Sequence, residues 1–257
     1  GLFGAGISTL TARWLCAIVI TCIFFIRKHN REYAFGFKTT GMSLQRVKQI
    51  NIVSWPVSLQ STMESASFSV VALMAGWLGA LELASFQIFI VISTLGFCIY
   101  YSIGSAIAVL VSNETGLGDR QGQRRVAFAG YHIMLMLVIA ASVLILALNR
   151  YLISAFTEDG PVIAMTLTLI FPLLLYQVGD ATQITFANAL RGTSNVLPML
   201  WIAFVSYLLI GIPSSYLLGF TAGLGLYGLI LSFSVSLFTA AVLFLYFFLR
   251  TTRMKNR

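Results

Sequence analysis

Long apolar stretches separated by short polar ones run the whole length of this chain. Seven such runs stand out, at residues 2–26, 50–77, 84–111, 126–149, 162–189, 198–219 and 226–249, each 22 to 28 residues long. A helix rises 1.5 Å per residue, so about 20 apolar residues cross the hydrocarbon of a bilayer. The pattern predicts seven transmembrane helices. A membrane strand would show alternating segments of about 10 residues. These runs are instead apolar on most faces, and in lipid such a segment closes its own backbone hydrogen bonds only as a helix. The expected fold class is all-α integral membrane.

The polar connections divide the chain. The segment 27–49 is the longest and holds six bases: Arg27, Lys28, Arg31, Lys38, Arg46 and Lys48. Arg120, Arg124 and Arg125 follow the third run, and Arg250, Arg253, Lys255 and Arg257 end the chain. Residues 78–83 and 220–225 hold no base, Arg150 is offset by Glu158 and Asp159, and Arg191 stands alone between the fifth and sixth runs. Basic and non-basic connections thus alternate. The positive-inside rule places segment 27–49 and the tail in the cytoplasm, and the first run crosses from outside to inside. Residues 1–26 then read as the last helix of a preceding bundle and 27–49 as a cytoplasmic linker, with 44–50 a short amphipathic helix on the membrane surface. Residues 50–249 read as a six-helix bundle and 250–257 as a basic cytoplasmic tail. The chain opens on Gly1-Leu2-Phe3 and is apolar at once, which reads as a fragment of a longer protein and not as a product of signal cleavage.

Composition agrees with lipid as the solvent. Hydrophobic residues make up 58% and charged residues 9%, against about 45–50% and about 25% in soluble domains. The net charge of +8 lies in the short connections, which points to topology and away from a nucleic-acid partner. Cys16, Cys22 and Cys98 sit in apolar runs without a C-x-x-C pair and read as small buried hydrophobes. Pro56 and Pro198 fall near expected helix starts, where a missing N–H costs little. Pro172 and Pro213 fall inside spans, as packing kinks or as hinges with freed carbonyls.

Three formal charges lie within the runs: Arg13, Glu64 and Asp180. A charge at the bilayer centre costs about 2.5–3.5 kcal/mol on insertion scales, so such residues mark function by default. Glu64 is near the middle of its run. Asp180 is roughly ten residues from its helix end, about 14 Å deep at the helical rise. A carboxylate at that depth binds Na⁺ or a proton where access can alternate between the two sides. Tyr176, Gln177 and Gln183 share the helical face of Asp180 at spacings of three and four, and Gln87 on the third run is a further lining candidate. Arg13 either snorkels or pairs with an acid elsewhere. The sequence Gly116-Leu117-Gly118-Asp119 looks like an intramembrane protease signature but falls in a connection. No phosphate-binding G-x-x-x-x-G-K-[ST] occurs, no run contains Lys, and His29 and His132 are isolated. No nucleophile–base or metal constellation suggests an enzyme.

Several stretches resemble the carboxyl-terminal lobe of the MATE (multidrug and toxic compound extrusion) transporters, its NorM-like branch most closely: PVSLQSTMESASFSVVALMAGWLGALELASFQ from Pro56, residues 104–120 with their GLGD, DATQITFANALRG from Asp180, and GIPSSYLLGF from Gly211. The resemblance implies two six-helix lobes facing a central cavity, of which this chain holds the second and the last helix of the first. It implies a secondary transporter of the cell inner (plasma) membrane, a monomer at full length, that exports small organic cations or drugs in exchange for Na⁺ or H⁺, with no cofactor beyond that ion. By residue matching, Glu64 and Asp180 form the cation site, holding Na⁺ if sodium is the coupling ion, assisted by Tyr176 and Gln87. Gln177, Gln183 and Phe97 would line the substrate cavity. Phe97 stands where relatives can carry Tyr. A lipid-linked oligosaccharide flippase of the same superfamily is the alternative, although such proteins favour a cationic cavity for a phosphate headgroup.

Overall fold

A computed structural model of the chain describes residues 2–27, 30, 35–36 and 43–253. Lys28, Arg31, Lys38, Lys255 and Arg257, counted above in the linker and tail, lie outside the described residues. Two compact units are present, Gly1–Ile50 and Asn51–Arg257. Helix α1 (Leu2–Ile26) belongs to the first. In chain order there follow α2 (Leu44–Leu78), α3 (Ala80–Leu117), α4 (Arg120–Ser154), α5 (Gly160–Thr168), α6 (Ile170–Gly192), α7 (Leu197–Thr221) and α8 (Gly225–Thr251). No strand occurs among the described residues.

Five of these helices are long and apolar enough to cross a membrane: Gly6–Ile26 within α1, then α3, α4, α7 and α8. The pair α5 and α6, bent by 50° at their junction, makes a sixth if it forms one broken span. Seven runs were expected. The difference is α2, which is 35 residues long but polar through its middle. Between residues 58 and 69 it carries Ser58, Gln60, Ser61, Thr62, Glu64, Ser65, Ser67 and Ser69.

The prolines explain several irregularities. Residues 44–50, expected as a separate surface helix, form the first turns of α2, so Pro56 is a buried interior residue and not a helix-start proline. Pro172 stands in the first turn of α6. Its ring excludes the carbonyl four residues back, that of Thr168, and Thr168 is where α5 ends. The expected kink is therefore a break between two helices. Pro198 opens α7 as predicted. Pro213 sits between two π-helical segments of α7, Phe204–Gly211 and Leu217–Thr221, where the backbone has widened around the missing donor.

Helix α6 is the hub. Its side chains are buried on every face from Gly179 to Leu190, apart from a half-buried Thr182, and it packs against α3, α4 and α8. Small residues make this possible, because association in lipid relies on close backbone approach. A Cβ at Gly104 of α3 would lie 2.7 Å from Asn188 Nδ2 and Ile184 Cγ2, and one at Gly179 would lie 3.1 Å from Leu237 Cβ of α8.

One end of the second unit is closed by polar contacts. Gly118 ends α3 in the left-handed region, φ 73°, a conformation that glycine adopts without penalty. Asp119 caps α4, its Oδ1 accepting from the N–H groups of Gln121 and Gly122 at 2.9 Å. The GLGD stretch is thus a helix stop followed by a helix start. Arg124 donates to the Leu249 carbonyl at 2.8 Å and to Thr252 Oγ1 at 2.9 Å, and Arg120 donates to the Arg253 carbonyl at 2.7 Å. These arginines, read from sequence as topological charges, also satisfy the orphan carbonyls at the end of α8. The cysteines are free and exposed, Cys98 on α3 and the other two on α1. Burial was expected. An outward-facing surface in lipid is as apolar as a core, so apolar surroundings in sequence do not separate the two.

Candidate functional site

Each sequence-derived residue can be placed on its helix. Glu64 comes from the polar stretch of α2, Gln87 and Phe97 from α3, and Tyr176, Asp180 and Gln183 from the buried hub α6. Glu64, Gln87, Phe97, Tyr176 and Asp180 line one cavity of about 340 Å³, walled by Phe68, Phe86 and Ile90. A second cavity, about 240 Å³, is lined by Gln60, Glu64, Phe97, Tyr101, Gln183, Asn188 and Arg191 among others. Glu64, Phe68 and Phe97 border both. Gln177 is buried but lies off both cavities, its Oε1 accepting from the Tyr100 hydroxyl at 2.7 Å.

The two acids are held differently. Glu64 is half-buried, and each of its oxygens accepts from an amide: Gln60 Nε2 donates to Oε2 at 3.1 Å and Gln183 Nε2 to Oε1 at 3.3 Å. The Tyr207 hydroxyl, from the first π segment of α7, faces Glu64 without hydrogen-bond geometry. Asp180 is 3% exposed and its Oδ2 has no partner. The two carboxyls are near enough for their charges to repel. Tyr176 is fixed edge-on to Phe68, Phe89 and Phe233 at ring-centroid distances of 6.4, 5.5 and 6.3 Å, favoured geometries for aromatic pairs. Its position one turn before Asp180 is therefore set by packing.

Unpartnered buried groups of both kinds border the arrangement: the Tyr207 hydroxyl and Arg191 Nε lack a partner, and so do three oxygens. Gln60 Oε1, Gln183 Oε1 and Asp180 Oδ2 are all buried without a partner. Burying an acceptor unpaired costs roughly 1–3 kcal/mol, and buried charge needs a counter-charge. A hard monovalent cation or a proton supplies what these oxygens lack. No group of three or more His, Cys, Asp or Glu that could hold a metal ion occurs among the described residues, so the ligand set on offer is two carboxylates plus amide oxygens. The aromatic walls suit the apolar and cationic parts of an organic cation, since ring faces attract positive charge.

Three further site residues escaped the sequence reading. Gln60 is one turn before Glu64 and could have been found by helical spacing alone. Arg191, expected in a connection, stands in the last turn of α6 and faces the second cavity. Tyr207 is brought to Glu64 by tertiary packing of α7, and no local signal marks it.

The site is thus an acid-lined, aromatic-walled cavity within an all-helical bundle of membrane-length apolar helices. The MatE family profile matches residues 56–217, and the chain belongs to this family of membrane transporters. It is 28% identical to the multidrug resistance protein NorM of Aliivibrio fischeri over 95% of this chain and 54% of that protein. It is 27% identical to the multidrug resistance protein MdtK of Yersinia enterocolitica, with the same coverages. The chain spans about half the length of these relatives. Among solved structures it is similar to the eukaryotic MATE transporter AtDTX14, with a TM-score of 0.81, 19% identity and coverage of 93% of this chain and 55% of that one. It is also similar to an outward-facing multidrug resistance MATE family transporter of the MOP superfamily, with a TM-score of 0.76, 18% identity and coverages of 83% and 48%. At these identities the structures speak for the fold. The protein is a multi-pass membrane protein.

Proposed function

We propose that the protein exports amphipathic organic cations in exchange for Na⁺ or H⁺, with Glu64 and Asp180 as the shared coupling site. The carrying observation is that both acids line one cavity whose other walls are Phe68, Phe86, Phe97 and Tyr176. Such a cavity serves either a small cation or an organic one, and the two compete for the same negative charge. Exchange then requires that the coupling ion favour a conformation with lower drug affinity, because a ligand moves an equilibrium only through differential affinity. That the curated relatives NorM and MdtK are multidrug resistance proteins supports drugs as the cargo.

In this reading α2 crosses the membrane as a seventh span, its polar face turned to the cavity and so away from lipid. The end bearing Arg120, Arg124 and Arg253 faces the cytoplasm under the positive-inside rule, in the plasma membrane. The remaining length found in the relatives supplies the facing wall, as a first lobe of which α1 is the last helix.

The direct test is binding of radiolabelled tetraphenylphosphonium to the purified full natural polypeptide containing this chain, with Na⁺ and H⁺ titrated separately. Displacement of the probe by one ion, lost in Asp180→Asn, is the expected result. Probe binding indifferent to both ions and to that substitution would reject exchange at this site. A pyrophosphate lipid retained in place of the probe would favour the flippase alternative.

A further inference from the structure

Arg191 is the base that the exchange reading leaves without a task. It stands in the last turn of α6, three turns beyond Asp180, and lines the same second cavity as Glu64. Its guanidinium is poorly engaged. Nη1 donates to Asn188 Oδ1 at 3.4 Å, the far limit of hydrogen-bond length, and Nε is buried with no partner. A buried N–H left unpaired costs roughly 1–3 kcal/mol, more when the group is charged, so the resting position of this side chain is not its best one. Glu64 lines the same 240 Å³ space, within reach of the field of Arg191. Glu64 is also the acid that borders both cavities, whereas Asp180 borders only the first.

We propose that Arg191 is a tethered counter-cation for Glu64: it swings from Asn188 across the second cavity to pair with the carboxylate when the coupling ion leaves, and yields it when the ion returns. This rests on the exchange reading above and adds a residue to it. The chemistry is competition between one mobile cation and one anchored cation for a single carboxylate. Without the ion, Glu64 is a half-buried carboxylate held by two neutral amides and no counter-charge, and a desolvated charge without one is costly. An anchored guanidinium removes that cost and drives ion release. Planar, always charged and able to bind both carboxylate oxygens, arginine suits the task better than lysine. The other groups facing Glu64 are Asp180 and Tyr176 from α6, Tyr207 from α7 and Tyr101 from α3. None of these carries a positive charge, so Arg191 is the base placed to compete.

The test uses tetraphenylphosphonium displacement by Na⁺ at fixed pH and by H⁺ without Na⁺, on the full natural polypeptide. Arg191→Gln removes the competitor, so the coupling ion should displace the probe at about five- to tenfold lower concentration, within the usual range of coupling between sites. Asn188→Ala frees the guanidinium from its resting partner and should shift displacement the opposite way. In a Glu64→Gln background neither change should shift displacement relative to Glu64→Gln alone, because Arg191 acts through that carboxylate. If wild type shows no ion-dependent displacement, the exchange reading itself fails. If wild type shows it and neither Arg191→Gln nor Asn188→Ala moves the half-displacing concentration, exchange stands and the role of Arg191 is overturned. Asn188→Ala keeps the test decisive even if the arginine variant does not accumulate.

Discussion

Glu64 has an amide on each oxygen, while Asp180 has an oxygen with none. This asymmetry assigns different work to the two acids: Glu64 is positioned, and Asp180 is open to a ligand. Gln183→Leu removes one of the amides. It also removes Gln183 Oε1, a buried oxygen without a partner that is offered to the cation, so cation-driven displacement of tetraphenylphosphonium should need about fivefold more ion or higher, within the usual range of coupling. Gln177→Leu, at a residue that bonds Tyr100 away from both cavities, should leave that concentration unchanged. Equal effects of the two changes would remove the positioning role of Gln183. The acids were legible in the sequence because a charge inside an apolar run stands out, and Tyr176 and Gln183 followed from helical spacing to Asp180. Gln177 has the same spacing but faces Tyr100, since periodicity fixes a face only to within a broad arc. Tyr207 was illegible because its link to Glu64 spans more than a hundred residues and depends on how α7 packs.

At the scale of elements, helix ends explain what the loops do. Asp119 caps α4 and Arg124 closes the end of α8. Asp119→Ala should cost about 1 kcal/mol, the usual loss for an N-cap. Arg124→Ala should cost about 1–3 kcal/mol by leaving partly buried acceptors unpaired. Both should lower the thermal midpoint of the purified protein while preserving probe binding at permissive temperature. Gly104→Leu is different in kind. Its side chain would enter the space held by Ile184 and Asn188, and such overpacking costs about 1–3 kcal/mol. Because α6 carries the site, this change should weaken probe binding as well as stability; intact binding would show that α3 and α6 can separate without disturbing Asp180. Apolar length located the helices, although the single run at 162–189 proved to be two, α5 and α6. Helix ends were not legible, because polar residues such as those at 44–49 extend a helix as readily as they end it, and Arg191 prolongs α6 past its apolar run.

For the whole molecule, the chain spans about half the length of its relatives. Orientation is open to a simple check. Cysteine placed at exposed Gln121, beside the basic end, should react with a membrane-impermeant maleimide only when the cytoplasmic side is accessible. Cysteine at exposed Glu158 should react from the outside. The reverse pattern would invert the bundle and with it the direction of exchange. The family was legible in short stretches such as DATQITFANALRG, whose polar residues now prove to lie on the buried hub. The count of spans was less so: the run at 50–77, counted as a span, became α2, whose polar stretch keeps it outside the five or six candidate spans.

The central claim is exchange of organic cations through Glu64 and Asp180. Ethidium accumulation in pump-deficient bacteria tests it most directly, comparing the full natural polypeptide with Asp180→Asn while external Na⁺ and pH are varied. The expected result is low accumulation in wild type that depends on one of the two ions, and accumulation at the empty-vector level in the variant. Ion-dependent extrusion by Asp180→Asn equal to wild type would contradict the site, and wild-type accumulation equal to empty vector, with the protein present in the membrane, would contradict ethidium export itself.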